Sequence, residues 1–199
     1  DENSNFKPLP FSFDRASSAT RVNKDGLIET VGSGEPRIDY KDNSKGALKL
    51  EPSRSNAITN SEEFGSTGWS FVTTGSAIAP IVSNNYAISP DGTQNAQRIQ
   101  FDLGGGSPSR TVIRQSLSTQ TDWVLSVWMK STDGTEQKIL WHSTSDTDET
   151  IVTGEWKRFT FSRNGLSNSW AGLCLNAGVS TVDTADILVY GFQAEQGSY

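Results

Sequence analysis

The stretch "DWVLSVWMKS" (residues 122–131) alternates without a break: Trp123, Leu125, Val127 and Met129 fall on one side, Val124, Ser126, Trp128 and Lys130 on the other. A period of two is the signature of a β-strand with one face in a core. The first set supplies that core face. Trp128, set between a serine and a lysine, is then either covered by another layer of protein or kept bare to hold a ligand. The second face of this strand therefore decides between scaffold and binding surface.

Working outward, similar runs recur: "AQRIQFDL" (96–103), "RTVIRQSLS" (110–118), "QKILWHS" (137–143), "WKRFTFS" (156–162), "AGLCLNA" (171–177) and "ADILVYGFQAE" (185–195). Asp-Gly in "TDGT" (132–135), Gly in "TGEW" (153–156) and Asn-Gly in "RNGL" (163–166) read as reversals between antiparallel strands. No sustained helical spacing with caps occurs, and parallel pairing would need helical crossovers. The expectation is an all-β chain, an antiparallel β-sandwich of jelly-roll type over residues 59–199. Residues 1–58 hold four of the seven prolines and only short apolar pieces, and read as an extended N-terminal arm or linker segment.

The 199 residues carry a net charge of −6 with no run of Lys or Arg, so nucleic acid and anionic membranes are poor partners. No apolar run approaches the ~20 residues that span a bilayer, and "DENSNFKPLP" lacks a signal-peptide profile; a soluble chain is expected. A single cysteine, Cys174, excludes an intramolecular disulfide, and with a single histidine, His142, the usual Cys/His zinc sites cannot be assembled. No cofactor is expected. The acidic "SDTDET" segment (Asp146, Asp148, Glu149) and the group Asp183, Asp186 and Glu195 offer oxygen ligands for a structural calcium, with a solvated acidic turn as the plainer reading.

Catalytic patterns are equally thin. "FDLGGGSPS" (101–109) has three consecutive glycines but no Gly-Lys-Ser/Thr, so it reads as a loop, not a phosphate cradle. A Ser/His/Asp triad would have to use His142, and no Gly-x-Ser-x-Gly elbow accompanies it. No pair of carboxylates stands out for glycoside cleavage. The chain is read as a non-enzyme.

Tryptophans carry the functional expectation. Trp156, ahead of Phe159 and Phe161, and Trp69, in "STGWSF", read as core anchors. Trp128, Trp141 and Trp170 share strands with polar neighbours and are candidates for one exposed aromatic face, the alternative being burial under the arm or a neighbouring subunit. Indole rings suit sugars, whose C–H faces stack on the π surface. Arg114, Lys130 and His142 are the expected hydrogen-bond donors to such a glycan.

Two ends of the chain add a resemblance. "FSFDRASSATRVNKDGLIETV", "GEPRIDY" and "LKLEPSRSNAITNSEEF" resemble an opening found in tail-fibre, head-fibre and other structural proteins of tailed bacteriophages, and "DILVYGFQAEQGSY" resembles their closing strand. "DWVLSVWMKS" and "TGEWKRFTFS" are similar to strands of jelly-roll carbohydrate-binding modules. The resemblance implies a virion surface or extracellular location, other virion proteins as partners, a homo-trimer, and adhesion to a host glycan. It also implies that Arg15, Thr20, Arg37, Asp39, Arg54 and Asn56 are structural positions. The rivals it leaves open are a purely structural capsid or fibre component and a glycan-degrading tailspike.

Overall fold

A computed structural model describes residues 13–50, 55–117, 122–142, 148–164 and 170–196. The chain divides into two compact units, Asp1–Pro52 and Ser53–Tyr199. In the first, β1 (Ala19–Val22) pairs with β2 (Ile28–Val31), and β3 (Ile38–Asp39) with β4 (Ala47–Leu48). The polar residues singled out here act on backbone. Arg15 donates to the carbonyls of Val31, Gly32 and Glu35, and Arg37 to that of Thr20. The Asp39 carboxylate accepts from the Val22 and Lys41 amides. Arg54 lies outside the described residues.

The second unit is a sandwich of two five-stranded antiparallel sheets. Sheet one runs β11 (Glu149–Val152), β10 (Gln137–Trp141), β13 (Trp170–Asn176), β8 (Arg110–Ser116), β5 (Ser70–Thr74). Sheet two runs β12 (Lys157–Asn164), β9 (Asp122–Ser131), β14 (Thr184–Gln196), β7 (Ala96–Asp102), β6 (Ile78–Ala87). Sequence neighbours take matching ranks in the two sheets: β11 with β12, β10 with β9, β13 with β14, β8 with β7, β5 with β6. This is a jelly-roll arrangement. It also corrects the turn reading: "TDGT" and "TGEW" do not close hairpins but carry the chain across from one sheet to the other, because β9 and β10, like β11 and β12, lie in different sheets. Between β12 and β13, which also lie in different sheets, Gly165 falls outside the described residues.

Trp123, Leu125, Val127 and Met129 of β9 fill the space between the sheets, with Ile99 and Phe101 of β7, Ile113 of β8, Ile139 of β10 and Leu173 of β13. The end of this core is aromatic. Phe192 meets Phe64, Trp69 and Trp141 at centroid distances of 6.3, 5.6 and 6.1 Å, and Phe161 stacks on Trp141 at 5.6 Å. Phe192 reaches the core because β14 bulges between Tyr190 and Gln193, with Gly191 at φ +62°. The extra residue reverses the alternation, so that Phe192 and Ala194 replace the odd-numbered positions that point inward earlier. Asn56 secures the bulge: its side chain donates to the Phe192 carbonyl and accepts from the Ala194 amide at 2.9 Å.

Candidate functional site

The expected site residues separate between the core and the two outer faces. Trp141 is 2% exposed, inside the core. It therefore does not belong to an exposed aromatic face. Its indole donates to Thr150 and packs on Phe161 and Phe192. Trp128 and Lys130 point from the outer face of sheet two. Arg114, His142 and Trp170 come together on the outer face of sheet one. Trp156 departs from its expected core position as well: it shares the outward parity of Arg158, is half-buried, and donates its indole N–H to the Ile88 carbonyl at 3.1 Å.

The outer face of sheet one is built in rows set by the register. Val72, Val112, Cys174 and Leu140 form one apolar row across four strands, and the last three are fully buried. Arg114 and Gly172 are partners in the next row, which His142 joins through its amide bond to the Gly172 carbonyl at 2.9 Å. Gly172 is required there, since a Cβ would stand 2.0 Å from the Ile113 carbonyl oxygen and 2.8 Å from the Arg114 Cα. With no side chain between them, Arg114 Nη1 comes within 3.3 Å of His142 Nε2. Arg110, from the far side of the apolar row, reaches His142 Nδ1 at 2.9 Å. The Arg110–His142 contact thus spans that row, and His142 is 3% exposed.

Arg114 also lies over the Trp170 ring, its guanidinium carbon 3.7 Å from the centroid. A guanidinium stacked this way keeps its N–H groups in its own plane, where they can donate sideways. The product is a cluster in which the Arg114 guanidinium is stacked on the Trp170 indole and meets the His142 imidazole just past the end of β10, with Trp170 and Arg114 partly exposed and His142 buried beneath.

On sheet two, Trp128 sits in a row with Arg158 and Tyr190. The Gly191 bulge passes it, a Cβ there falling 4.0 Å from its ring, and Trp128 is half-buried. Arg158 donates to Ser126 at 2.8 Å and to Gln193. Tyr190 donates to Asp91 at 3.0 Å, which ties the 88–95 loop to this face. Burial pushes the Asp91 carboxyl up, but hydrogen bonds from Ser89, Thr93 and Asn95 outweigh it and hold the group at about 2. Burial raises the Tyr190 phenol, helped by the Glu62 and Asp91 carboxylates.

Among the described residues, no three His, Cys, Asp or Glu side chains converge as a metal site. Asp186 is engaged by two nitrogens of Arg98, Glu149 by Lys138 and Thr181, and Glu195 lies toward the opposite end of β14. Asp146 lies outside the described residues. Sequence reading did not find Arg110, whose wide spacing from His142 gives no linear signal.

No family model and no curated protein matches the chain. Among solved structures it is similar to the enzymatically active domain of tailspike protein 4 of bacteriophage CBA120, with 15% identity, 70% of this chain and 21% of that chain covered, and a TM-score of 0.42. It is similar also to a family 11 carbohydrate-binding module from Clostridium thermocellum, solved with a β-1,3-1,4-mixed-linked tetrasaccharide, with 11% identity, 74% and 98% covered, TM-score 0.47. A third is the K3 cleaved adhesin domain of Lys-gingipain from Porphyromonas gingivalis, with 11% identity, 73% and 100% covered, TM-score 0.49. These are distant likenesses. The chain spans about a fifth of the tailspike chain.

Proposed function

We propose that the sandwich is a non-catalytic glycan-binding domain and that the Trp170–Arg114–His142 platform on the outer face of sheet one is its binding surface. The observation that carries this reading is the convergence of those side chains from β13, β8 and the end of β10 around Gly172. A sugar offers an apolar C–H face to a flat π surface and hydroxyl oxygens to guanidinium donors, and the stacked Trp170 and Arg114 present both on one patch. Both ring nitrogens of His142 face guanidinium groups. That geometry fixes the guanidinium donors in place.

In the same proposal the domain sits on a virion surface as a tail- or head-fibre component that attaches to host glycans, a reading supported by the resemblance of the N- and C-terminal segments to phage fibre proteins. Single contacts of this kind are weak, so several copies in a homo-trimer would supply useful adhesion. A glycan array probed with the wild-type chain, Arg114→Ala and Trp170→Ala tests the reading. Binding that falls in both variants is expected. An empty array, unchanged binding in both variants, or release of new reducing ends from the bound glycan would overturn it.

A further inference from the structure

The edge strand β6 contains Pro80, and its pairing with β7 slips between Ile78 and Ile81. Proline is tolerated at an edge because one side of the strand has no ladder to complete. The slip leaves Ile78 and Ile81 51% and 56% exposed. They form one wall of a half-open groove of about 410 Å³ on the outer face of sheet two, within the ~300–1,000 Å³ typical of small-molecule sites. Besides Ala79, Phe101 and Ala185, its lining is polar: Gln100 and Asp102 of β7, Thr184 and Asp186 of β14, and Asp133 and Gln137 flanking the β9–β10 crossing.

These polar groups are held in place by the fold. Asp186 takes two hydrogen bonds from Arg98 and one from Thr132, and its amide donates to the Gln137 side-chain oxygen at 3.1 Å. Asp102 accepts from the Gly104 amide at 2.7 Å through one oxygen, and Asp133 from Ser131 and Thr135 through one oxygen. The second oxygen of Asp102 and of Asp133 is left to accept. The groove thus pairs an apolar wall with fixed acceptors, at no cost in side-chain ordering.

We infer that this groove is a second saccharide site, separate from the Trp170 platform, that takes one uncharged pyranose unit. Its C–H face lies against Ile78 and Ile81. Its hydroxyls donate to Asp102 and Asp133, in the short, charge-assisted bonds carboxylates form with O–H donors. A sugar bearing a carboxylate is turned away, because it would meet these carboxylates with like charge. The inference shares a ligand class with the proposed function but needs no contact with Arg114, so the two can fail separately.

The test is titration of the 15N-labelled chain with methyl β-glucopyranoside, methyl β-galactopyranoside and methyl α-mannopyranoside, with glucuronate as the charge control. The readouts are the side-chain amide signals of Gln100 and Gln137 and the backbone amide of Gly104. At least one neutral glycoside is expected to shift these signals in the wild type and equally in Arg114→Ala, and glucuronate is expected to leave them in place. Asp102→Asn keeps the acceptor for Gly104 while removing the charge, and Ile81→Ala trims an exposed wall; each is expected to weaken the neutral sugar about tenfold. Silence of these signals with every neutral glycoside, equal shifts with glucuronate, loss of the shifts in Arg114→Ala, or wild-type affinity in both groove variants would overturn the inference. A dead array together with a live groove would remove the platform reading and leave this one standing.

Discussion

On the outer face of sheet one, Val112, Cys174 and Leu140 are fully buried and the donors gathered by them are Arg110 and Arg114, with the His142 ring between them. On the outer face of sheet two, the groove leaves its isoleucines half exposed and its fixed polar groups are mainly acceptors: Asp102, Asp133 and Asp186. The same strand plan stands behind both. The difference arises in the rows. A central glycine on β13 lets long cationic side chains close over an apolar row, whereas a slipped edge strand on sheet two opens a gap lined by short carboxylates. One face is expected to read what a sugar accepts, the other what it donates.

The severest way to break the comparison is to remove what both faces rest on. Trp141→Ala takes a fully packed indole away from Phe161 and Phe192 and is expected to destabilise the sandwich by ~3–5 kcal/mol, the usual cost of emptying an aromatic core position. Chemical denaturation measures it. A loss below ~1 kcal/mol would mean that the indole is not the core support of both sheets.

Gly172→Ala separates the faces. The added Cβ meets the Ile113 carbonyl and the Arg114 backbone, and overpacking of this kind costs ~1–3 kcal/mol. The platform sugar is expected to lose binding at least tenfold, by the array or by titration, while the Gln100 and Gln137 signals respond as in wild type. Equal loss at both sites would show that the faces are coupled.

How much of this was legible in the chain follows from the same contrast. The alternation in β9 placed Trp123, Leu125, Val127 and Met129 in the core correctly, because one face is core and the other carries Ser126 and Lys130. In β10 the signal vanished. Ile139, Leu140, Trp141 and His142 are all buried, since the outer face here holds the second apolar row, and a strand covered on both sides shows no alternation. Trp141 was therefore assigned to the wrong side. Strand β6 was missed for a different reason: Pro80 and the asparagines of "IAPIVSNNYA" are turn residues that only an edge position accepts. Arg114, His142 and Trp170 were named from residue type, but their meeting around Gly172 depends on pairings between distant segments that spacing does not encode.

Acid sharpens the comparison on sheet two. The Asp91 carboxyl is held at about 2, below the ~3.9 of an unfolded chain. A depressed folded value means that the contribution is complete above about pH 4 and is lost as pH falls through about 2. Asp91 anchors Tyr190, so the loop over sheet two is expected to loosen in that window. Thermal midpoints of wild type and Asp91→Asn, measured from about pH 5 down to about pH 2, should converge as the acid form is reached, with the variant flatter throughout. Parallel curves would remove Asp91 from the acid response.

The smallest effect is expected at Lys130. It points from the outer face of sheet two in the row of Leu188, beside the groove but not in its lining, and it lies on the side of the sandwich away from Trp170. Lys130→Ala should change stability by less than ~0.5 kcal/mol and leave both the array signal and the Gln100 response within error. Because Lys130 was named as a donor on the strength of its neighbour Trp128, a measurable loss of glycan binding in this variant would locate the sugar on the Trp128 row. It would make sheet two the principal binding face, reversing the order of the two surfaces.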